Sequence, residues 1–469
     1  MDKPLTFKRT AGPVFCLLMA LFSSAMAQTD TSAYELETVV MTGQHSAVAA
    51  SQSVYRVQVI DRARIEAQAA QQLGDLLSQE LNINLQQDLA LGTFMSLQGT
   101  SGQHIKILID GVPMIGRLDG GLDLGQINLH AIERIEIIEG PMSVEYGTHA
   151  LGGVINLITA KSPKSAWEAG FSLYEATTGD RYSIYDGFHN QSAYLGWRHA
   201  RHSLRLDGAR NFFGGDALEA DSRFKSWKPK DQRSGSLSYA FTEKKYKLEY
   251  SSSYFDEDLI NRGNADLYGE RALDEQFRTR RINQRLNARF ELPGKSTFDQ
   301  IAAYSWYRRD RELYRRDLVR LESQPMESEF RTDLYDAWLL RGTWAKAFSG
   351  EKASLQAGYD LNFESTEGDR ILGGERQHIS DAAAFASLEY RPVPTLSLRP
   401  GLRAARNSRF AAPLAPSLHL KYDLHPAWSL RFSYARGFRA PSLKELYFEF
   451  GDSNHSVFGN ADLEAEYSH

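Results

Sequence analysis

The chain has 469 residues, a formal net charge of −5 and 24% charged residues. A weakly acidic chain offers no basic field to a nucleic-acid partner, and its length allows a small domain beside a larger one. Cys16 is the single cysteine, so neither a disulfide framework nor a thiolate metal site is expected.

The first 27 residues read as a signal peptide. Lys3, Lys8 and Arg9 precede an apolar run, Val14 to Phe22, and small residues follow at Ala25 and Ala27. That order predicts export and cleavage after Ala27. The run is short of the ~20 apolar residues of a membrane helix, and no later run approaches that length. A transmembrane barrel stays allowed, because it hides its membrane signal in alternation.

Residues 28–44 hold a polar spacer and then Leu36-Glu37-Thr38-Val39-Val40-Met41-Thr42-Gly43. This β-prone patch is either the first strand of a domain or an extended segment that adds to a partner's sheet edge.

Residues 45–160 alternate strand and helix signals. Tyr55 to Ile60 predicts a strand, Asp61 can cap a helical turn through Glu66, and Leu73, Leu76 and Leu77 have helical spacing. Leu81 to Leu85 predicts another strand. Ile105, Ile107 and Ile109 alternate up to a turn at Asp110-Gly111. Ile132 to Ile138 is cut by Glu139-Gly140-Pro141, a turn follows at Tyr146-Gly147, and Gly152-Gly153 opens the run Val154 to Ile158. The glycines mark sharp turns or close backbone approach. A small mixed sheet with short helices is expected.

From residue 161 long alternating segments take over. Tyr246, Leu248 and Tyr250 alternate with Lys247, Glu249 and Ser251; Trp428, Leu430, Phe432 and Tyr434 alternate with Ser429, Arg431 and Ser433. One apolar, aromatic face and one charged face suit a barrel with lipid outside and a polar lumen. Tight turns at Arg201-His202, Glu243-Lys244, Pro293-Gly294, Ser349-Gly350 and His425-Pro426 alternate with long connections: 176–190, 214–232, 256–280, 308–329 and 367–377. Roughly thirteen strands result. An open edge in lipid is costly, so the chain is expected to be a C-terminally truncated piece of a larger barrel.

Asp256, Glu257 and Asp258 and the pairs Arg308-Arg309 and Arg315-Arg316 fall in the expected outer loops. They are solvated loop charge or, for the arginines, a means of capturing an anionic ligand. His199 and His202 lack a third metal ligand. No nucleophile elbow or phosphate loop accompanies the glycines, and no enzyme is expected.

With these residues in hand, the whole chain resembles the TonB-dependent outer-membrane receptors. Leu36 to Gly43 is similar to a TonB box. Lys106 to Met114 and Ile132 to Thr159 are similar to the plug signature, and Gly437 to Glu466 resembles the mid-barrel stretch with FRAP and NPNL-type boxes. The resemblance implies an all-β transmembrane barrel, here about 13–14 of roughly 22 antiparallel strands, with an N-terminal α+β plug inside it. It divides the chain into a signal peptide (1–27), spacer and TonB box (28–44), plug (45–160) and barrel (161–469).

It also implies a monomer in outer-membrane lipid that takes up a scarce iron complex, a ferric siderophore first, with haem or cobalamin as alternatives. The TonB–ExbB–ExbD complex is the implied partner, coupled through Glu37, Thr38, Val39, Val40, Met41 and Thr42. Asp110, Gly111, Gly140, Pro141, Tyr146, Gly147, Gly152, Gly153 and Asn156 carry the plug signature. No cofactor or resident metal is implied. Ligand contacts fall to His104, His149, Arg439 and His455; a histidine between the two barrel boxes and another in the plug, where His130 is a further candidate, can ligate haem iron. NADL at Asn460 to Leu463 departs from the haem form. A non-transporting adhesion barrel is the alternative of another class.

Overall fold

The computed structural model describes residues 39–40, 42, 48–88, 92–116, 121–180, 183–217, 219, 222–348, 352–425, 427–451 and 456–469. The signal-peptide reading of 1–27 and the candidates Glu37, Thr38, Met41 and His455 lie outside the described residues.

The plug is built on a five-stranded mixed sheet. Its order is Val57–Asp61, Ile132–Glu139, Gly153–Thr159, Ile105–Ile109 and Val112–Pro113. Ile132–Glu139 and Gly153–Thr159 pair antiparallel, with Ile138 opposite Val154, while Gly153–Thr159 runs parallel to Ile105–Ile109. Near-continuous runs of isoleucine, leucine and valine fit strands covered on both faces. The expected helices form as Arg62–Ala67 and Leu73–Leu77. Asp61 caps the first by accepting from the Arg64 amide at 2.8 Å. Leu73, Leu76 and Leu77 are fully buried against Ile60, Leu124 and Ile135, each contributing roughly 1.5–3 kcal/mol. The strand expected at Leu81 starts later, at Ile83; Leu81 is exposed.

Around the plug lies a sheet of antiparallel strands. Thirteen of the described strands follow one another in chain order, from Trp167–Ala176 to Trp428–Ala435, with Glu322–Pro325 added to one of them. Among the described residues, the first and last strands of that path are its edges. Alternation works as expected. Leu195, Leu206 and Leu237 lie on one rung facing outward, and Leu195 and Leu206 are exposed. On the inward face next to them, Arg205 and Asp207 are buried and paired at 2.8 Å. So many large apolar side chains facing out suit lipid rather than water. Among the described residues no helix is long and apolar enough to cross a membrane.

Two of the expected loops are not loops. Strands Tyr246–Ala265, Arg271–Leu292 and Ser296–Asp317 are 20 to 22 residues long, well beyond the ~9–11 that span a bilayer. Asp256, Glu257 and Asp258 and the arginines 308, 309, 315 and 316 therefore stand on strands. Opposite charges on neighbouring strands hold these extensions together. Arg278 pairs with Asp256 at 3.1 Å, Arg280 with Asp310 at 2.7 Å and Arg316 with Asp274 at 3.1 Å, while Arg308 reaches Asp310 along its own strand. Charge reads as loop in a linear sequence, but the period of two carries on through it.

Candidate functional site

The site begins where the chain enters the plug. Val39–Val40 pairs antiparallel with Val48–Ala49. Thr42 follows, and its backbone amide and Oγ1 both donate to Glu136 Oε2, at 2.7 and 2.5 Å. Asn156 Nδ2 donates to Thr42 Oγ1 at 2.9 Å. The other Glu136 oxygen, Oε1, accepts from Arg134 Nε at 2.8 Å. Glu136 is fully buried in an interior strand of the plug sheet, and Thr42 is buried with it. Charge-assisted bonds to a buried carboxylate are the strong kind. The segment entering the plug is thus tied to the strand that runs on to Glu139 and the Gly-Pro turn.

Asn156 has a second task. Its Oδ1 accepts from the Gly111 amide at 3.1 Å, in a two-residue turn where Asp110 and Gly111 both have positive φ, 50° and 82°. Asp-Gly suits that turn. Asp110 is more than a turn residue: Thr159 donates to it from Oγ1 at 2.6 Å and Lys161 pairs with it at 3.2 Å. Burial opposes ionisation of Asp110, but Lys161, Arg285 and the Thr159 bonds outweigh it and hold the carboxyl below the usual range.

The remaining signature residues shape the loop between the two strands. Gly140 donates to the Gly152 carbonyl at 3.2 Å, and Met142, just after Pro141, donates to that of Ala150 at 2.9 Å. Ser143–Tyr146 forms a single helical turn that ends at Gly147. A Cβ on Gly147 would come within 2.8 Å of the Arg403 guanidinium, and one on Gly153 within 2.5 Å of the Ile138 carbonyl oxygen.

That helical turn is where the barrel grips the plug. Glu145 pairs with Arg399 at 3.5 Å and accepts from Tyr55 Oη at 2.6 Å, and the Arg399 guanidinium lies 5.1 Å from the Tyr55 ring centre. Beside it, Asp360 pairs with Arg341 at 2.7 Å and Arg403 at 3.2 Å. Lys106 donates to the Tyr146 carbonyl at 2.6 Å. Burial first, then the nearby Arg341 and Arg403, lower the Lys106 pKa to about 8 against the pull of Asp360. The sequence reading missed all of these residues except Tyr146. Arg399 and Arg403 share one face of their strand in LSLRPGLRAARN, and that shared parity was the available signal.

Of the proposed ligand contacts, two come together. His104 Nε2 lies 2.8 Å from Glu466 Oε2, and Arg439 Nη2 donates to Glu466 Oε1 at 2.5 Å. Arg439 also pairs with Glu445 at 3.0 Å. His149 stands apart, its Nδ1 2.9 Å from the Gln103 carbonyl. It lines a cavity of about 360 Å³ between the plug top and barrel residues that include 440–445 and 457–459. His130 lines a different cavity with both ring nitrogens unpartnered. Burial, then the charges of Arg62 and Arg205, push its pKa down to about 4.

Residues 49–154 match the TonB-dependent receptor plug domain, and residues 162–469 match the TonB-dependent receptor-like β-barrel. The chain belongs to the TonB-dependent receptor family. The receptor is thus an outer-membrane β-barrel with a plug. It is 26% identical over 506 aligned positions to an iron-regulated outer membrane virulence protein of Vibrio cholerae, covering 99% of this chain and 68% of that protein. A shorter match, 36% over 125 residues, links 26% of the chain to 20% of a V. cholerae vitamin B12 transporter, BtuB. Its fold resembles the siderophore receptor PirA of Acinetobacter baumannii (TM-score 0.73, 17% identity, 89% of this chain and 67% of that one). A ferric enterobactin receptor mutant of Pseudomonas aeruginosa is similar too (TM-score 0.70, 18% identity, 92% and 69%).

Proposed function

We propose that the receptor imports a scarce iron complex, a ferric siderophore, and that residues 37–42 couple it to TonB and thereby to ExbB and ExbD. The observation that carries this reading is the double tether of Thr42 to Glu136. Val39–Val40 pairs along one edge with Val48–Ala49, which leaves its other edge for addition to a partner's sheet. Pulling the segment then acts through Glu136 on an interior strand of the plug sheet, while the Glu145–Arg399 pair and the Val144 carbonyl, which accepts from Arg403, keep the plug on the barrel wall. A tension-driven opening needs one held side and one pulled side. An iron-regulated relative and siderophore-receptor folds support the choice of ligand.

The experiment is Val39→Pro, which removes an amide and blocks strand addition. Uptake of a ferric siderophore by iron-limited cells is expected to stop while binding at the surface persists. Unchanged uptake would favour a barrel that binds without transporting. Growth rescue by ferric siderophores, haem or cobalamin, compared side by side, separates the ligands.

A further inference from the structure

A third cavity lies away from the His149 side, between the plug segment 68–78 and the outer ends of the first four barrel strands. Its volume is about 710 Å³, within the range of small-molecule sites. Strand register explains its lining. Tyr174, Asn190, Asn211 and Gln232 sit on one rung across four consecutive strands, so all four side chains share the inward face. Two rungs further out, on the same face, Phe188 stands opposite Phe213, their rings stacked with centres 4.4 Å apart. Trp227 adds another ring, and Gln68 and Gln72 face it from the plug.

The chemistry of this wall is mostly uncharged. Lys230, Asp75 and Asp216 are the charged residues on its lining, and none of the described arginines is among them. Asp75 is engaged by the backbone amides of Gln71 and Gln72. Some of the amide groups are engaged too. Asn211 donates to Asn128 at 2.7 Å; Gln232 donates to the Gly125 carbonyl and accepts from Gln72, both at 2.8 Å. Three other oxygens on the lining have no partner: Asn190 Oδ1, Gln68 Oε1 and Thr178 Oγ1. Asn190 is only 6% exposed.

Buried acceptors without donors call for O–H or N–H groups. An anion would meet these oxygens with like charge, and an alkyl group would leave them unsatisfied. Stacked aromatic faces beside amides suit a ring with an apolar face and a polar edge. We propose that this cavity binds an uncharged, polyhydroxylated ring, a saccharide unit either free or carried on a larger molecule. A sugar hydroxyl can donate to Asn190, Gln68 and Thr178, while the C–H face lies against Phe188, Phe213 or Trp227. This site goes beyond the iron-import reading and does not rest on it.

The test is calorimetric titration of the purified protein in a detergent without a sugar headgroup. The probes are maltotriose, tri-N-acetylchitotriose and lipopolysaccharide core oligosaccharide. At least one is expected to bind saturably. Asn190→Leu and Phe213→Ala are each expected to weaken it about tenfold, the equivalent of ~1.4 kcal/mol. Thr178→Val, on a loop outside the strands, should weaken it about threefold and guards against a folding defect in the strand variants. Ser365→Ala, in the His149 cavity, should leave it unchanged. Binding by the core oligosaccharide alone assigns the site to membrane sugar, and binding by the trisaccharides assigns it to a free or carried glycan. No saturable binding by any of the three probes, or equal binding by the Asn190, Phe213 and Thr178 variants, overturns the proposal. The titration needs no energy source, so loss of siderophore uptake with saccharide binding intact would count against a different step.

Discussion

Thr42 gives two hydrogen bonds to the same oxygen of Glu136, a carboxylate buried in an interior strand of the plug sheet. Glu136→Ala removes that acceptor and leaves Arg134 and the Thr42 donors unmatched. The tether should weaken by about 1.5–3 kcal/mol, as for hydrogen bonds to a charged group. A spin label at position 39 should then shift from an immobile to a largely mobile spectrum without ligand. Glu136→Gln, which keeps an acceptor but loses the charge, should give an intermediate spectrum. Identical spectra for all three proteins would mean that Glu136 does not hold the segment.

The Glu145–Arg399 pair makes a different prediction, about the side that stays. Both groups are buried. Removing one partner leaves an uncompensated charge, at a cost of roughly 3–5 kcal/mol. Glu145→Met should therefore lower the urea midpoint of plug unfolding and raise sensitivity to large antibiotics that leak past a loosened plug. The double variant with Arg399→Met should lose less than the sum of the single changes, because neither charge is stranded. Additive losses would show that the two residues do not act as a pair.

How much of this was legible in the residues depended on whether a signal was local. The helix at Leu73–Leu77, the Asp110-Gly111 turn and the Ile132–Glu139 hairpin each follow from spacing and turn chemistry within ten or so residues. The outward leucines of the barrel were equally plain. Glu136, Glu145, Asp360 and Arg399 were not, because each matters through a partner far along the chain. Glu136 acts on Thr42 across 94 positions and Arg403 on Val144 across 259. Alternation places such residues on the inner face; it does not say what stands across the gap. The extended strands 246–317 were shortened for a related reason, since paired charges look solvated until their partners are known.

Glycine substitutions separate two kinds of constraint in the plug signature. Gly140 has φ 97°, with nothing within 4 Å of where a Cβ would stand, so Gly140→Ala should cost only the backbone strain, about 1–2 kcal/mol. Gly153 has φ 150° and a Cβ there would press on the Ile138 carbonyl inside the sheet. The Ile138 backbone and the buried Leu97 side chain leave little to move, and Gly153→Ala should cost more than about 4 kcal/mol. Protease resistance of the plug should survive the first change and be lost in the second. Equal resistance would mean that the sheet can shift to admit the methyl group.

Lys106 gives the plug a pH dependence of its own. Its pKa falls from 10.5 in the unfolded chain to about 8 in the folded one. Between those values the unfolded chain binds more protons at this position than the folded protein does. Stability therefore rises with pH across that window, and below about pH 8 the folded state carries the full cost of a buried, charged lysine beside two arginines. Lys106→Met removes the ionisable group and also gives up its bond to the Tyr146 carbonyl. The urea midpoint of plug unfolding should climb more between pH 7.5 and 10 for the unmodified protein than for this variant. If both proteins respond to pH alike, the lysine is not held in the charge-disfavouring setting that burial, with Arg341 and Arg403, creates.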